Sequence, residues 1–291
     1  RRVAQQEADN ARVAARKAER ITSFLQNMLA AANPNQEGPE VTVGQLLDKA
    51  AARVVDEFAD DPEIESAIRG AIGDAYVGLG RYPEAELHLQ TALAIQRRIH
   101  GEDHVDVAAA LNTLGTLLHA KGDYPAAQNC FEQALAMHRK LLGGEHSLVA
   151  QDLNNLAVVL RIRGDDVQAE SMLRDALAIR RRLFGNEHLV IAETLNNLAN
   201  VLLNRRDYAA AEPLCSEVLA IRRQLLGDEH PQVAQAIHNL GVLLGRQGRI
   251  AEAEPLLRQS IALYRKELGP DHPELAGGLL NLGELLFKAG D

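Results

Sequence analysis

The sequence contains no tryptophan, and aromatic residues fill only 3% of its 291 positions. β-Sandwiches and barrels draw on aromatic and β-branched residues, so this scarcity argues against both. There are two cysteines, Cys130 and Cys215, too few for a disulfide framework. No apolar run approaches the roughly 20 residues that span a bilayer, so direct membrane insertion is not expected. Positive charge is in deficit: 31 Lys and Arg face 40 Asp and Glu, for a net charge of −9. A general polyanion binder needs a basic surface, so no nucleic-acid partner is expected. No signal-peptide pattern is present. Arg1-Arg2 rather than Met opens the chain, and the expectation is a piece of a longer protein. What the sequence does have is 46% hydrophobic residues, mostly Ala, Leu, Ile and Val. That content argues against disorder and allows a sizeable core.

The strongest signal is an internal repeat. His104, His146, His188, His230 and His272 follow one another every 42 residues. Three residues before each stands a glycine: Gly101, Gly143, Gly185, Gly227 and Gly269. Pro62 occupies the same column one period earlier. Five units therefore run over 62–271, a half unit consisting of a final helix follows over 272–291, and an atypical 61-residue stretch precedes them.

Each unit reads as two helices. In the second, Val107, Leu111, Leu114 and Leu118 follow a helical period and predict a helix over 105–121. Gly122-Asp123 forms a turn. A second helix is expected over 124–142, with Pro125 tolerated in its first turn. Its buried stripe is expected to be Ala127, Phe131, Ala134, Leu135, Met137 and Leu141, and Gly143 to end it as a C-terminal cap. Small residues recur where helices must approach. Gly73, Gly115, Ala157, Ala199, Gly241 and Gly283 form one column. Ala85, Ala127, Ala169, Ala211 and Ala253 form another. Large apolar residues are expected opposite them.

The residues Leu111, Leu114, Gly115, Leu118, Gly122, Tyr124, Ala127, Phe131 and Ala134 resemble the tetratricopeptide repeat, unit after unit over 62–291. The usual period is 34; eight extra residues lengthen the helices by about 12 Å in all. The segments at 153–160, 195–203 and 252–275 look like the kinesin-light-chain type of this repeat. The resemblance implies an all-α, right-handed superhelical solenoid of antiparallel helix pairs. Its first helices would line a concave groove that holds extended peptides.

Residues 23–93 carry a second resemblance. They are similar to the region after the transmembrane helix in bacterial membrane-anchored serine/threonine kinases with C-terminal repeats of this type. The resemblance implies a bacterial, membrane-anchored parent whose N-terminal kinase domain lies outside this chain. No kinase motif occurs in the sequence, so the chain itself is not expected to be an enzyme. Residues 21–61 read as an atypical helix pair capping the array, with helices at 21–32 and 43–60 and a loop at 33–41. Thr42 and Gln45 suit a capping box for the second helix. Residues 1–20 read as a helical stalk or a weak coiled coil. Ala4, Ala8, Ala11, Ala15, Ala18, Thr22, Leu25 and Leu29 alternate in steps of four and three, a seam through which residues 1–29 could form a homodimer.

No pattern for catalysis, cofactor or metal emerges. Equivalent histidines in stacked repeats should lie about 10 Å apart, too far to share an ion. Each stands at the start of a first helix, where capping is the simpler role. Cys130 and Cys215 fall on the buried side of second helices and read as inert core thiols. Arg97, Arg139, Arg181, Arg223 and Arg265 sit near second-helix C-termini, where cations complement the helix dipole.

The first-helix asparagines are the candidate binding residues. Asn155, Asn197, Asn239 and Asn281 form one column, with Thr113 at its head. Asn112, Asn154 and Asn196 precede them, continued by His238. Asparagine is a mediocre helix former, and a carboxamide offers donors and an acceptor suited to a peptide backbone. The alternative is that each ties one repeat to the backbone of the next. By the family resemblance, Asn200, His119, Arg161, Arg246 and Lys288 share the groove face. The expected function is a protein-interaction module that binds an extended peptide or partner protein, serving as the sensing or recruiting region of a bacterial kinase. The rival is a structural spacer or self-association scaffold.

Overall fold

The computed structural model describes residues 42–290, together with Glu19, Arg20, Thr22, Ser23, Phe24 and Gln26. The proposed coil seam, apart from Thr22, and the loop at 33–41 lie outside the described residues. Among those described, regular structure is entirely helical, and no helix is long and apolar enough to cross a membrane. The chain divides into two compact units, residues 1–141 and 142–291.

The first unit is built on α1 (Val43–Phe58), α2 (Pro62–Gly78), α3 (Tyr82–His100), α4 (Val105–Ala120) and α5 (Tyr124–Leu142). Thr42 and Gln45 form the expected capping box at the start of α1, each side chain bonding the other's backbone N–H. Phe24 meets Phe58 edge-on at 5.4 Å, and Arg20 pairs with Asp61 at 2.7 Å. Asp48 of α1 accepts from the Tyr76 hydroxyl at 2.7 Å and from Arg81 at 3.0 Å, tying α1 to the turn after α2.

The second unit comprises α6 (Ser147–Ile162), α7 (Asp166–Phe184), α8 (Leu189–Asn204), α9 (Tyr208–Leu226), α10 (Pro231–Arg246), α11 (Ile250–Leu268) and α12 (Pro273–Ala289). Each helix packs on the next in sequence, and first helices of adjacent pairs also touch, α6 against α8 and α10 against α12.

The periodic residues explain these elements. His104, His146, His188, His230 and His272 are all N-caps, each Nδ1 accepting from the backbone N–H two residues on at 3.1–3.2 Å. Asp165 and Asp207 cap α7 and α9 through Oδ1, each accepting from the backbone N–H three residues on. The glycines that end the second helices adopt φ of 74–90°, a left-handed conformation that costs glycine little. The alanine column Ala85, Ala127, Ala169, Ala211 and Ala253 is wholly buried. A Cβ on Gly115 would stand 2.7 Å from the Phe131 ring, and one on Gly73 would stand 2.5 Å from Leu89. Small residues thus face large ones, and each buried Leu, Ile or Phe contributes about 1.5–3 kcal/mol.

Two local expectations need correcting. α1 stops at Phe58 rather than at residue 60. In α5, Met137 is only half-buried and Leu141 is exposed, while Cys130 and His138 complete the buried stripe. The 3.6-residue period turns Leu141 away from the core by the end of the helix.

Candidate functional site

In the second unit the asparagine columns are bonded to one another. Asn197 Nδ2 donates to Asn154 Oδ1 at 3.1 Å, and Asn239 Nδ2 donates to Asn196 Oδ1 at 2.8 Å. Asn281 Nδ2 lies 3.0 Å from His238 Nε2. At the start of this series Asn154 Nδ2 donates to Glu193 Oε1 at 3.1 Å, which turns its carbonyl oxygen towards Asn197. The partner of each rung is therefore a side chain in the adjacent first helix. At Asn197, Asn239 and Asn281 the bond thus runs to a side chain and not to the neighbouring backbone. Asn154 is nearly fully buried, whereas Asn155, Asn196, Asn197, His238, Asn239 and Asn281 are half-buried. Burial pushes the His238 imidazole below its ordinary pKa of 6.5.

Beside the ladder runs an open concavity lined by first helices. Arg161 of α6, Asn200, Leu203 and Asn204 of α8, His238, Asn239, Val242 and Arg246 of α10, and Asn281 of α12 enclose about 190 Å³. Leu203, Asn204 and Arg246 also border a wider cavity of about 600 Å³, with Arg206, Tyr208 and Lys288 on its other walls. Glu284 is the carboxylate that lines a third, smaller cavity next to Arg246 and Lys288. The structure thus brings together nine of the sequence-derived candidates: Arg161, Asn196, Asn197, Asn200, His238, Asn239, Arg246, Asn281 and Lys288.

The remaining candidates differ. Asn154 belongs to the ladder and not to the cavity walls. Asn155 is half-buried on α6. Asn112, Thr113 and His119 lie on α4 of the first unit. Asn112 is buried there, and the Thr113 hydroxyl donates to its own helix at Ala109 O. Thr113 borders a cavity of about 190 Å³ whose walls include Ala67, Gly70, Ala109 and Ala110.

Charge sets the second-unit concavity apart. Most Arg and Lys residues of this unit are engaged: Arg174 with Glu170, Arg181 with Glu217, Arg223 with Asp228, Arg249 with Glu212 and Glu252, Arg258 with Glu254, and Lys266 with Glu229. Arg182 pairs with Glu145 and Arg205 with Glu170. Among the described residues, Arg161, Arg206, Arg246, Arg265 and Lys288 have no ion-pair or side-chain hydrogen-bond partner. Four of these five line the cavities.

Sequence reasoning missed two features. Arg180 and Arg222 are buried, at 5% and 7% exposure. Arg180 Nη1 donates to Val190 O at 3.0 Å and Thr194 Oγ1 at 2.6 Å; Arg222 Nη1 donates to Gln232 O at 2.9 Å. Burial lowers the pKa of both guanidinium groups. The second feature is a cluster in the first unit, where His100, His104 and Asp106 approach one another. The thiols conform to expectation: Cys130 and Cys215 are buried and unpaired with each other, and burial raises Cys215 to about 11.

Comparison with known proteins agrees with this architecture. The tetratricopeptide repeat profile matches residues 63–140, 106–182, 190–266 and 246–291. The chain belongs to the tetratricopeptide repeat family. These repeats form an interaction module, and no catalytic domain is evident in the chain. No curated protein matches the sequence. Among solved structures, BtubC (BKLC) from P. vanneervenii is 24% identical, with a TM-score of 0.68 over 80% of this chain and 95% of that one. A putative kinesin light chain with nearly identical TPR-like repeats from Podosopora anserina is 25% identical, with a TM-score of 0.60 over 70% of this chain and 97% of that one. A STAND signal-transduction ATPase with a tetratricopeptide repeat sensor, from Pyrococcus horikoshii, is 16% identical. Its TM-score is 0.64 over 84% of this chain and 37% of that one. The likeness to kinesin-light-chain-like repeat proteins is therefore one of structure.

Proposed function

We propose that the concave face of the second unit binds an extended, acidic segment of a partner protein. The observation that carries this reading is the clustering of unpaired cations. Arg161, Arg206, Arg246 and Lys288 line two cavities that share Leu203, Asn204 and Arg246, in a chain whose net charge is −9. Carboxylates of a ligand would supply the missing partners. The ladder amides keep donor capacity beyond the rung bonds, since each Nδ2 carries two hydrogens, and these suit a peptide backbone. The resemblance of residues 23–93 to kinase juxtamembrane regions supports a recruiting role within a longer bacterial signalling kinase. The sensor repeats of the Pyrococcus ATPase are a precedent for such a role.

The test is fluorescence anisotropy with labelled acidic, neutral and basic peptides of equal length. The acidic peptide should bind best, and added salt should weaken it. Arg246→Glu and Lys288→Glu should weaken it tenfold or more. Arg265→Glu, an unpaired cation outside the cavities, should leave binding unchanged. Equal losses in all three variants, or no preference among peptides, would remove this reading.

A self-association scaffold is the second reading. It is favoured by the exposed apolar face of α12, where Leu280 and Phe287 are 66% and 83% exposed. A mass that rises with concentration in light scattering, and no longer rises in Phe287→Glu, would support it over peptide capture.

A further inference from the structure

We propose that His100, His104 and Asp106 form a binding site for one divalent transition-metal ion of the zinc class. His100 ends α3, His104 caps α4 and Asp106 lies in the first turn of α4. One ligand atom from each lies within 4.8 Å of the other two. Asp106 Oδ2 is 3.6 Å from His100 Nε2 and 3.4 Å from His104 Nδ1. Zinc bonds of about 2.0–2.2 Å place neighbouring ligands of a tetrahedral site roughly 3.3–3.5 Å apart, so two of the three edges are already close to the required length. Two imidazoles and one carboxylate are a donor set that suits zinc and its neighbours, with a water free to complete the tetrahedron.

The rings stack at 3.9 Å with an 8° interplanar angle, so the His100 ring must swing out of the stack to aim its lone pair at a shared ion. His104 Nδ1 already accepts a hydrogen bond from the Asp106 N–H at 3.2 Å. It is therefore unprotonated in that tautomer, the form a metal ligand requires. Metal binding exchanges that hydrogen bond for a coordinate bond.

The composition of the corner is unique among the five equivalent loops. At the place of His100 the others carry Leu142, Phe184, Leu226 and Leu268. At the place of Asp106 they carry Leu148, Val190, Gln232 and Glu274. The sister loops fill the first position with an apolar residue and vary the second, so packing demands neither His100 nor Asp106. The neighbouring carboxylates Glu102 and Asp103 are engaged with Arg97 and Lys140.

The test is calorimetric titration of the full 291-residue chain with zinc chloride, followed by cobalt(II) absorption spectra. One equivalent should bind saturably, with a cobalt spectrum typical of nitrogen and oxygen ligands. His100→Leu and Asp106→Gln, both borrowed from sister repeats, should each weaken binding at least tenfold at unchanged helicity. Unsaturable binding or full affinity in His100→Leu would overturn the proposal. So would a thiolate-to-cobalt band, which would assign the ion to Cys130 or Cys215. Should His100→Leu lose helicity, Asp106→Gln decides alone.

Discussion

The side-chain amide of Asn239 on α10 donates to the side-chain carbonyl of Asn196 on α8 across 2.8 Å. Half-buried amide hydrogen bonds of this type contribute about 1 kcal/mol net. Asn196→Ala and Asn239→Ala should each destabilise the chain, and the double variant should lose less than the sum, by about 0.5–1.5 kcal/mol. Urea unfolding of the four-member cycle measures this coupling. Strict additivity would show that the rung contributes nothing between repeats.

His238 replaces asparagine in this ladder and brings a titration with it. Burial holds its imidazole below the ordinary value of 6.5. Between the two values the unfolded chain binds more protons than the folded one, so stability rises with pH there. The contribution is undiminished above about pH 6.5 and is lost as pH falls towards the lower folded value. His88 adds the same sign, because burial and the Arg69 guanidinium both lower it. The wild type should therefore lose more stability between pH 7.5 and 5.5 than His238→Asn does. Identical losses in urea midpoints would contradict this.

Glycines of one sequence column should respond oppositely to substitution. A Cβ on Gly115 would collide with Phe131 at 2.7 Å, whereas one on Gly283 meets nothing within 4 Å. Gly115→Ala should destabilise the chain, since the Phe131 ring is fixed by burial. Gly283→Ala should stabilise α12 by roughly 0.5–1 kcal/mol, because glycine is a poor helix interior residue. Thermal melts of the two variants should move in opposite directions.

Arg206 carries φ of 60°, the lone non-glycine among the described residues with a positive value. The corresponding turns use Gly80, Gly122, Gly164, Gly248 and Gly290. Left-handed backbone costs a non-glycine residue on the order of 1 kcal/mol. Arg206→Gly should therefore raise stability by about that amount, read from the urea midpoint. If the cation is retained for binding, the same variant should weaken the acidic peptide.

Much of the fold was legible because a repeat states each signal five times. The histidine column, the glycines after second helices and the boundaries of α5 were all readable from spacing. The opposition of small and large apolar residues was readable in general, whereas the particular pairing of Gly115 with Phe131 came from the structure. What escaped was non-periodic or contrary to type. Arg180 and Arg222 look like surface residues, and only the structure shows that a backbone carbonyl of the next helix waits for each. The asparagine columns were recognised, but their partner was not, since the bond joins adjacent columns of successive repeats. His100 was hidden by the same regularity, because the eye follows the column of His104 and passes over the one loop that differs.

The buried guanidinium groups also bear on how the second unit comes apart. Arg180 anchors α7 to α8, and Arg222 anchors α9 to α10. Solenoids held only by apolar contact can fray one repeat at a time. Here, parting either helix junction would strand a desolvated cation from its carbonyl, a far costlier opening. The hinges between hairpins are thereby stiffened, and amide exchange along 166–246 should proceed as one cooperative block rather than as a gradient from the ends.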